Sequence, residues 1–148
     1  MIKPLLLLLP SLILLGCSNA DTEALVLPDR TVDMCGEKPN CVSTIEPRGD
    51  FSLAAFKLNQ QGLSQWLAIK DIALSLPGAS LGQQSNNYIR VECRSKIFGF
   101  VDDFEIKLQG DELIVRSESR TGYSDFGVNR ERAEQFRQLL AAAEYLQN

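Results

Sequence analysis

The sequence predicts an α+β domain: an antiparallel sheet of four to five strands in the order β-α-β-β-β-β-α, with two helices packed on one face. Two observations carry this. Three runs in which apolar and polar residues alternate follow one another from Tyr88 to Arg120, with turn signals between them. On either side of them, apolar residues recur at helical spacing, at Leu63, Trp66, Leu67, Ala73 and Leu74 and again at Ala133, Phe136, Leu140 and Ala143.

The chain opens on an export signal: Lys3 supplies the positive start, and Leu5 to Leu15 form an apolar run short for a bilayer span. Leu14, Leu15, Gly16 and Cys17 resemble a bacterial lipobox. That resemblance implies cleavage before Cys17 and its modification by a diacylglyceryl thioether and an N-acyl chain, more than stable membrane attachment requires. Ser18 to Val32 has neither period and mixes Asp21, Thr22, Glu23, Pro28 and Asp29, the composition of a tether. The expected organisation is therefore a signal peptide at 1–16, a lipidated Cys17 and tether at 17–34, and one domain at 35–148.

Within the domain, Phe51 to Leu58 is apolar enough for a strand, and the helix from Leu63 ends at Pro77-Gly78. A short strand at Ala79 to Gln83 and a turn at Asn86-Asn87 lead into the runs Tyr88 to Ser95, Phe100 to Leu108 and Leu113 to Arg120. Parity sets their register, because apolar positions that face one core must lie opposite one another. With turns at Ile97-Phe98 and Gly110-Asp111, Ile89 meets Ile106 and Val91 meets Phe104; Leu108 meets Leu113 and Ile106 meets Val115. The same register places Cys93 opposite Asp102, Phe104 opposite Ser117 and Asp102 opposite Ser119, all on the core side.

The other face then carries rows of charge: Arg90, Glu105 and Arg116; Glu92, Asp103 and Glu118; Arg94, Val101 and Arg120. This reads as a solvated ladder of ion pairs, each contributing about 0.2–1 kcal/mol, with a metal or ligand surface as the alternative. On the core face Asp102, Ser117 and Ser119 need partners. They lie where "RSESRTGYSDFGVNR", Arg116 to Arg130, must turn the chain into the last helix, with Gly122 and Gly127 giving backbone freedom and Asn129 as N-cap. The bland reading is a joint in which Asp102 accepts hydrogen bonds from Ser119 and from loop N–H groups. The sharper one is an anion pocket at the helix N-terminus, with Arg120 and Arg130 as its cations. Arg130 and Arg132 oppose the helix dipole and so want either an anion or carboxylates, which Asp125, Glu131 and Glu134 could supply.

Composition excludes whole classes. There is no histidine, which removes Ser-His-Asp and Cys-His relays and the commonest zinc ligand. A net charge of −4 argues against nucleic acid. Besides Cys17, three cysteines remain: Cys35 and Cys41 can close a small loop around Pro39 and Asn40, and Cys93 reads as a buried thiol. A three-cysteine metal site would lack a fourth ligand at zinc spacing.

Three segments, "PNCVST" (Pro39 to Thr44), "RVECRSKIFGFVDDFEIKL" (Arg90 to Leu108) and "VRSESRTGYSDFGVNRERAEQFR" (Val115 to Arg137), resemble the family catalogued as domain of unknown function 1499. Its members are often exported or membrane-associated, and the resemblance implies no activity. It directs attention to Asn40, Cys41, Ser95, Phe98, Phe100, Asp102, Asp103, Arg116, Ser117, Ser119, Arg120, Gly122, Asp125, Gly127, Asn129 and Arg130, while Glu118 stands where the family more usually carries a small residue.

The expected function is that of a lipid-anchored protein of the bacterial cell envelope, facing the periplasm or exterior, that works by binding or assembly without catalysis, metal or cofactor. Ser18 after the lipid site points weakly to the outer membrane. Expected partners are the membrane, through the anchor, and an envelope protein or a small anion. The alternatives are binding of a small anion or anionic lipid headgroup, and a hydrolase using Asp102 or Asp103 with Ser117 or Ser119, which lacks an evident base for the serine. An apolar cavity beside Asp102 would favour the enzyme; a flat packed sheet would favour assembly.

Overall fold

The computed structural model describes residues 26–147. The signal segment, Cys17 and the first part of the tether lie outside the described residues. The elements are β1 (Cys41–Ser43), β2 (Phe56–Lys57), α1 (Gln60–Leu63), α2 (Trp66–Leu74), β3 (Ala79–Gln84), β4 (Tyr88–Arg94), β5 (Val101–Gln109), β6 (Glu112–Ser119) and α3 (Val128–Ala142). They form an α+β domain on one mostly antiparallel sheet in the order β1-β6-β5-β4-β3, with β2 beside β1 along the far edge of β6. Among the described residues six strands are present where four to five were expected, because β1, three residues long, is too short for its alternation to be read. The parity register is the observed one at every core pair from Ile89–Ile106 to Leu108–Leu113.

The core lies between one face of this sheet and the helices. Ile89, Val91, Phe104, Ile106 and Val115 meet Ala133, Phe136 and Leu140 of α3 and Ile69 and Ala73 of α2. Phe136 packs edge-on against Phe104, with ring centroids 5.3 Å apart, and the Arg137 guanidinium lies over the Phe56 ring. The expected helix from Leu63 is broken at Ser64 and Gln65 into α1 and α2, so Leu67 turns out to solvent while Ile69 and Ala73 face the core. Gly78 ends this segment with φ +70, and its carbonyl accepts the Arg94 N–H; a Cβ there would sit 2.2 Å from the Arg94 carbonyl oxygen.

Three further expectations change. The strand expected over Phe51 to Leu58 shrinks to Phe56–Lys57, the rest forming a loop. Phe100, placed on the core side by parity, precedes β5 and is exposed, because the β4–β5 turn spans residues 95–100 rather than closing tightly at Ile97-Phe98. The domain also begins before Cys35. Residues 29–33 lie on the outer sheet face, where Asp29 accepts from the Lys107 ammonium at 2.8 Å, the Arg30 N–H donates to Glu105, and the Arg30 guanidinium pairs with Glu118. An aperiodic stretch gave no sign of this, since its fit is charge against charge rather than apolar spacing.

That strap also explains why the charged ladder is not solvated throughout. Arg90, Glu105 and Arg116 are almost wholly buried beneath it and beside Tyr88, whose hydroxyl donates to Glu105. Desolvation there raises the Glu105 carboxyl above its ordinary range, opposed by the Tyr88 hydrogen bond. The ion pairs join neighbouring rows rather than running along them: Arg116 to Glu118 at 2.7 Å on one strand, and Arg120 across strands to both Asp103 and Glu92 at 2.7 and 2.6 Å.

Candidate functional site

The end of the sheet where β4 stops, β5 starts and β6 passes into α3 gathers most of the residues singled out from the sequence. Its centre is Asn129. The N-cap position of α3 is Gly127, in the left-handed region at φ 87, so Asn129 is not the cap but lies within the first turn with its side chain fully buried. Its amide nitrogen donates to the Asn40 carbonyl (3.0 Å), to Ser119 Oγ (3.0 Å) and to Asp125 Oδ2 (2.7 Å). Its amide oxygen accepts from Ser117 Oγ at 2.6 Å and from Arg132 at 2.8 Å. One side chain thereby ties β6, α3 and the Pro39-Asn40 segment together.

The internal acceptor of the joint is Asp125, not Asp102. Asp125 takes the N–H groups of Gly127 and Asn129, at 2.9 and 3.0 Å, and so caps the helix from outside it. Asp102 lies opposite Ser119 in register but pairs with Arg132 at 2.7 Å. Asn40 completes the joint: its carbonyl also accepts the Ser119 N–H, and its amide donates to the Gly122 carbonyl at 3.3 Å. Asn40, singled out by the family resemblance, and Arg132, expected only to seek an anion or a carboxylate, thus both belong to the network. Asn40 carried a signal in the "PNC" motif, and Arg132 in its spacing from Asn129.

The two proposed anion-binding arginines are not brought together. Arg120 lies on the outer sheet face, held by Asp103 and Glu92, and those hydrogen bonds push its guanidinium further above its already high value. Arg130 is on α3 and spends its guanidinium on the backbone carbonyls of Ser52 (2.8 Å) and Asp50 (3.0 Å) instead of on carboxylates. Glu134 pairs with Arg137. Asp103 and Arg116 likewise face outward, across the sheet from Ser117 and Ser119. Cys35 and Cys41 form a disulfide beside this joint, and Cys93 is a buried free thiol whose pKa desolvation raises.

Above the network opens a cleft of about 290 Å³ lined by Ser95, Phe98, Phe100, Asp102, Ser119, Thr121, Gly122, Ser124, Asp125, Phe126 and Val128. Its floor is polar and its rim apolar. Ile97, Phe98 and Phe100 rise from the 95–100 loop, with the Phe98 and Phe100 rings stacked at 5.7 Å, and Tyr123 and Phe126 rise from the 121–127 loop. Phe98 is 73% and Phe126 95% exposed, and Phe126 holds φ 55, a left-handed conformation unusual for a bulky residue. Around the floor, Ser117 donates to an amide oxygen and Ser119 accepts from an amide. Among the described residues no serine hydroxyl of the site donates to a carboxylate. No group of metal-ligating side chains was found among the described residues either.

Fold and site together define a small α+β domain in which a buried polar joint supports an exposed aromatic cleft. Residues 31–140 match the family described as "Protein of unknown function (DUF1499)", and the chain belongs to that family. No curated protein and no solved structure matches it.

Proposed function

We propose that the protein is a lipid-anchored, non-catalytic binding protein of the cell envelope, and that it binds through the cleft between the 95–100 and 121–127 loops. The observation that carries this is the exposure of Phe98, Phe100 and Phe126 around one concave site, with Ile97 and Tyr123 also exposed on the same two loops. The cavity beside Asp102 would also suit an enzyme, and it argues against assembly through a flat sheet. The chemistry for catalysis is missing, however. Ser117 is buried with its proton committed to Asn129, and Asp102 is engaged by Arg132, so neither serine has a base in position. Anion binding through Arg120 and Arg130 loses support because the two guanidinium groups lie on different layers and are already bonded. Anchoring rests on the lipobox-like run ending at Cys17.

Two measurements test this reading. Mass spectrometry of membrane-extracted protein should find an acylated N-terminal Cys17; an intact Met1 or an unmodified N-terminus would refute the anchor. Hydroxyl-radical footprinting should find Phe98, Phe100, Tyr123 and Phe126 protected in intact envelopes relative to purified protein. Equal labelling in the two preparations would refute the cleft as the binding site.

A further inference from the structure

We infer that the occupant facing this rim is a lipid bilayer: Phe98, Phe100, Ile97 and Phe126 enter the interfacial layer of a membrane that carries anionic headgroups. The inference rests on reading the two loops as the binding face, and adds what they bind.

The first support is the form of the rim. The apolar side chains stand on two separate loop tips at one end of the sheet, and Ile97 and Phe126 are 85% and 95% exposed. The 121–127 loop holds Phe126 at φ 55, where glycine or asparagine is the usual occupant, by N–H hydrogen bonds from Phe126 to Ser124 and from Gly127 to Asp125. A backbone that spends strain to project a phenylalanine into solvent needs an apolar medium to receive it.

The second support is charge. The chain as a whole is acidic, at −4. Yet Arg94 and Lys96 flank the tip, Arg94 bonding only to the Gly99 carbonyl at 2.9 Å. The sole carboxylate of the two loops, Asp125, is occupied by the Gly127 and Asn129 N–H groups and the Asn129 amide. Beneath it Asp102 is neutralised by Arg132. Apolar and aromatic tips beside uncompensated cations suit an anionic membrane interface.

The third support is reach. The chain joins the sheet where Asp29 meets Lys107, at the end of β5 away from the rim. From Lys107 to Val101 the strand spans about 20 Å. From Cys17 to Pro28 the chain can extend by at most about 36–40 Å. An acylated Cys17 and an inserted rim can therefore share one bilayer, with the domain standing tip-down on it.

The test uses the chain from Ser18 to Asn148, which contains every core residue found among the described residues. It is sedimented with vesicles of phosphatidylglycerol and phosphatidylethanolamine, and with vesicles of phosphatidylcholine alone. The expected result is partition onto the anionic vesicles, reduced at least about tenfold in the F98S/F126S double variant. K96Q should weaken binding roughly fivefold on anionic vesicles and leave phosphatidylcholine unaffected, as one surface cation is worth about a factor of five. Both substituted phenylalanines are exposed, so thermal melts confirm that the variants stay folded. Emission added by Phe126→Trp should shift to the blue on binding and be quenched by brominated lipid. Failure of the wild type to partition, or equal partition of the double variant, overturns the inference. If the loops are protected in intact envelopes while vesicles do not bind, the cleft remains a binding site but its partner is a protein; if protection is also absent, both readings fall.

Discussion

Asn129→Ala tests the polar joint most directly, because this fully buried side chain makes five hydrogen bonds to four other residues' side chains and one backbone carbonyl. Most of these partners have a second bond to fall back on. The Asn40 carbonyl keeps the Ser119 N–H, Asp125 keeps the Gly127 and Asn129 N–H groups, and the Arg132 guanidinium keeps Ser117 Oγ and Asp102. Ser117 still accepts from Arg132, but its hydroxyl proton loses its one acceptor at a position with no solvent exposure. An orphaned buried donor costs about 1–3 kcal/mol, and the lost contacts and small void raise the expected total to about 2–4 kcal/mol. For a domain of this size that lowers the melting temperature by roughly 8–15 °C. Asp102→Asn keeps a hydrogen-bond acceptor for Arg132 at the protein's edge and should cost less, about 1 kcal/mol. Urea denaturation of both variants, with the Ser117→Ala/Asn129→Ala double-mutant cycle, gives the comparison. A coupling near zero, or a larger loss in Asp102→Asn than in Asn129→Ala, would refute Asn129 as the centre of the joint.

Reduction of the Cys35–Cys41 disulfide should lower stability by only about 2 kcal/mol, given its six-residue separation, and leave the fold intact; Cys93 should stay unreactive toward thiol reagents until the protein unfolds, and peptide mapping that places Cys93 in a disulfide would refute the pairing. Glu46, buried beside Cys35, is held down to about 2 by hydrogen bonds from the Arg48 guanidinium, helped by the backbone N–H groups of Arg48 and Cys35 against desolvation. Its folded value lies below the ordinary 4.5, so its contribution is complete above that value and fades as pH falls toward about 2; Glu46→Gln should flatten this acid limb in denaturant titrations, and an unchanged limb would count against it. Phe126→Gly should raise stability by up to about 1 kcal/mol by removing the left-handed strain, while reducing vesicle partition; a loss of stability would mean that the Phe126 ring packs on the domain after all.

The sheet was legible because its central strands obey one strong rule. Each of β4, β5 and β6 alternates apolar with charged residues, and a shift by one position would have put Val91, Phe104 and Val115 on the charged outer face, so parity with the turn positions sufficed to pair them. The same rule fails where side chains are not sorted by polarity. β1 is three residues long, and the 29–33 strap docks by the Asp29 carboxylate onto Lys107, the Arg30 backbone N–H onto Glu105 and the Arg30 guanidinium onto Glu118. Nothing in an apolar pattern signals such a fit. At the site, parity correctly set Asp102 opposite Ser119, but register gives only Cα partners. Which carboxylate a loop N–H reaches depends on the turn at Asp125-Phe126-Gly127, where two successive residues take positive φ and draw Asp125 over the helix start. Sequence reasoning saw Gly127 as freedom for the chain and could not see that the residue before it, a phenylalanine, shares the conformation.

That shared conformation links the joint to the rim. A loop that holds Phe126 at φ 55 with its ring in solvent gains nothing from its own apolar contacts, so other bonds must keep it from relaxing. Those bonds are in the joint: Asp125 grips both Gly127 and Asn129, Asn129 reaches back to Asn40 and Ser119, and Asn40 holds the Gly122 carbonyl at the start of the same loop. The Cys35–Cys41 disulfide closes the loop that carries Asn40, fixing the acceptor on which Asn129 depends. The buried network therefore does for the aromatic rim what a hydrophobic core cannot do for a side chain that must stay exposed: it fixes the backbone from below. Asn129→Ala should accordingly weaken vesicle partition under conditions where the domain is still fully folded, since a relaxed loop lets Phe126 fold away from the tip. If the folded variant partitions like the wild type, the joint serves stability alone and the rim is shaped by the 95–100 loop.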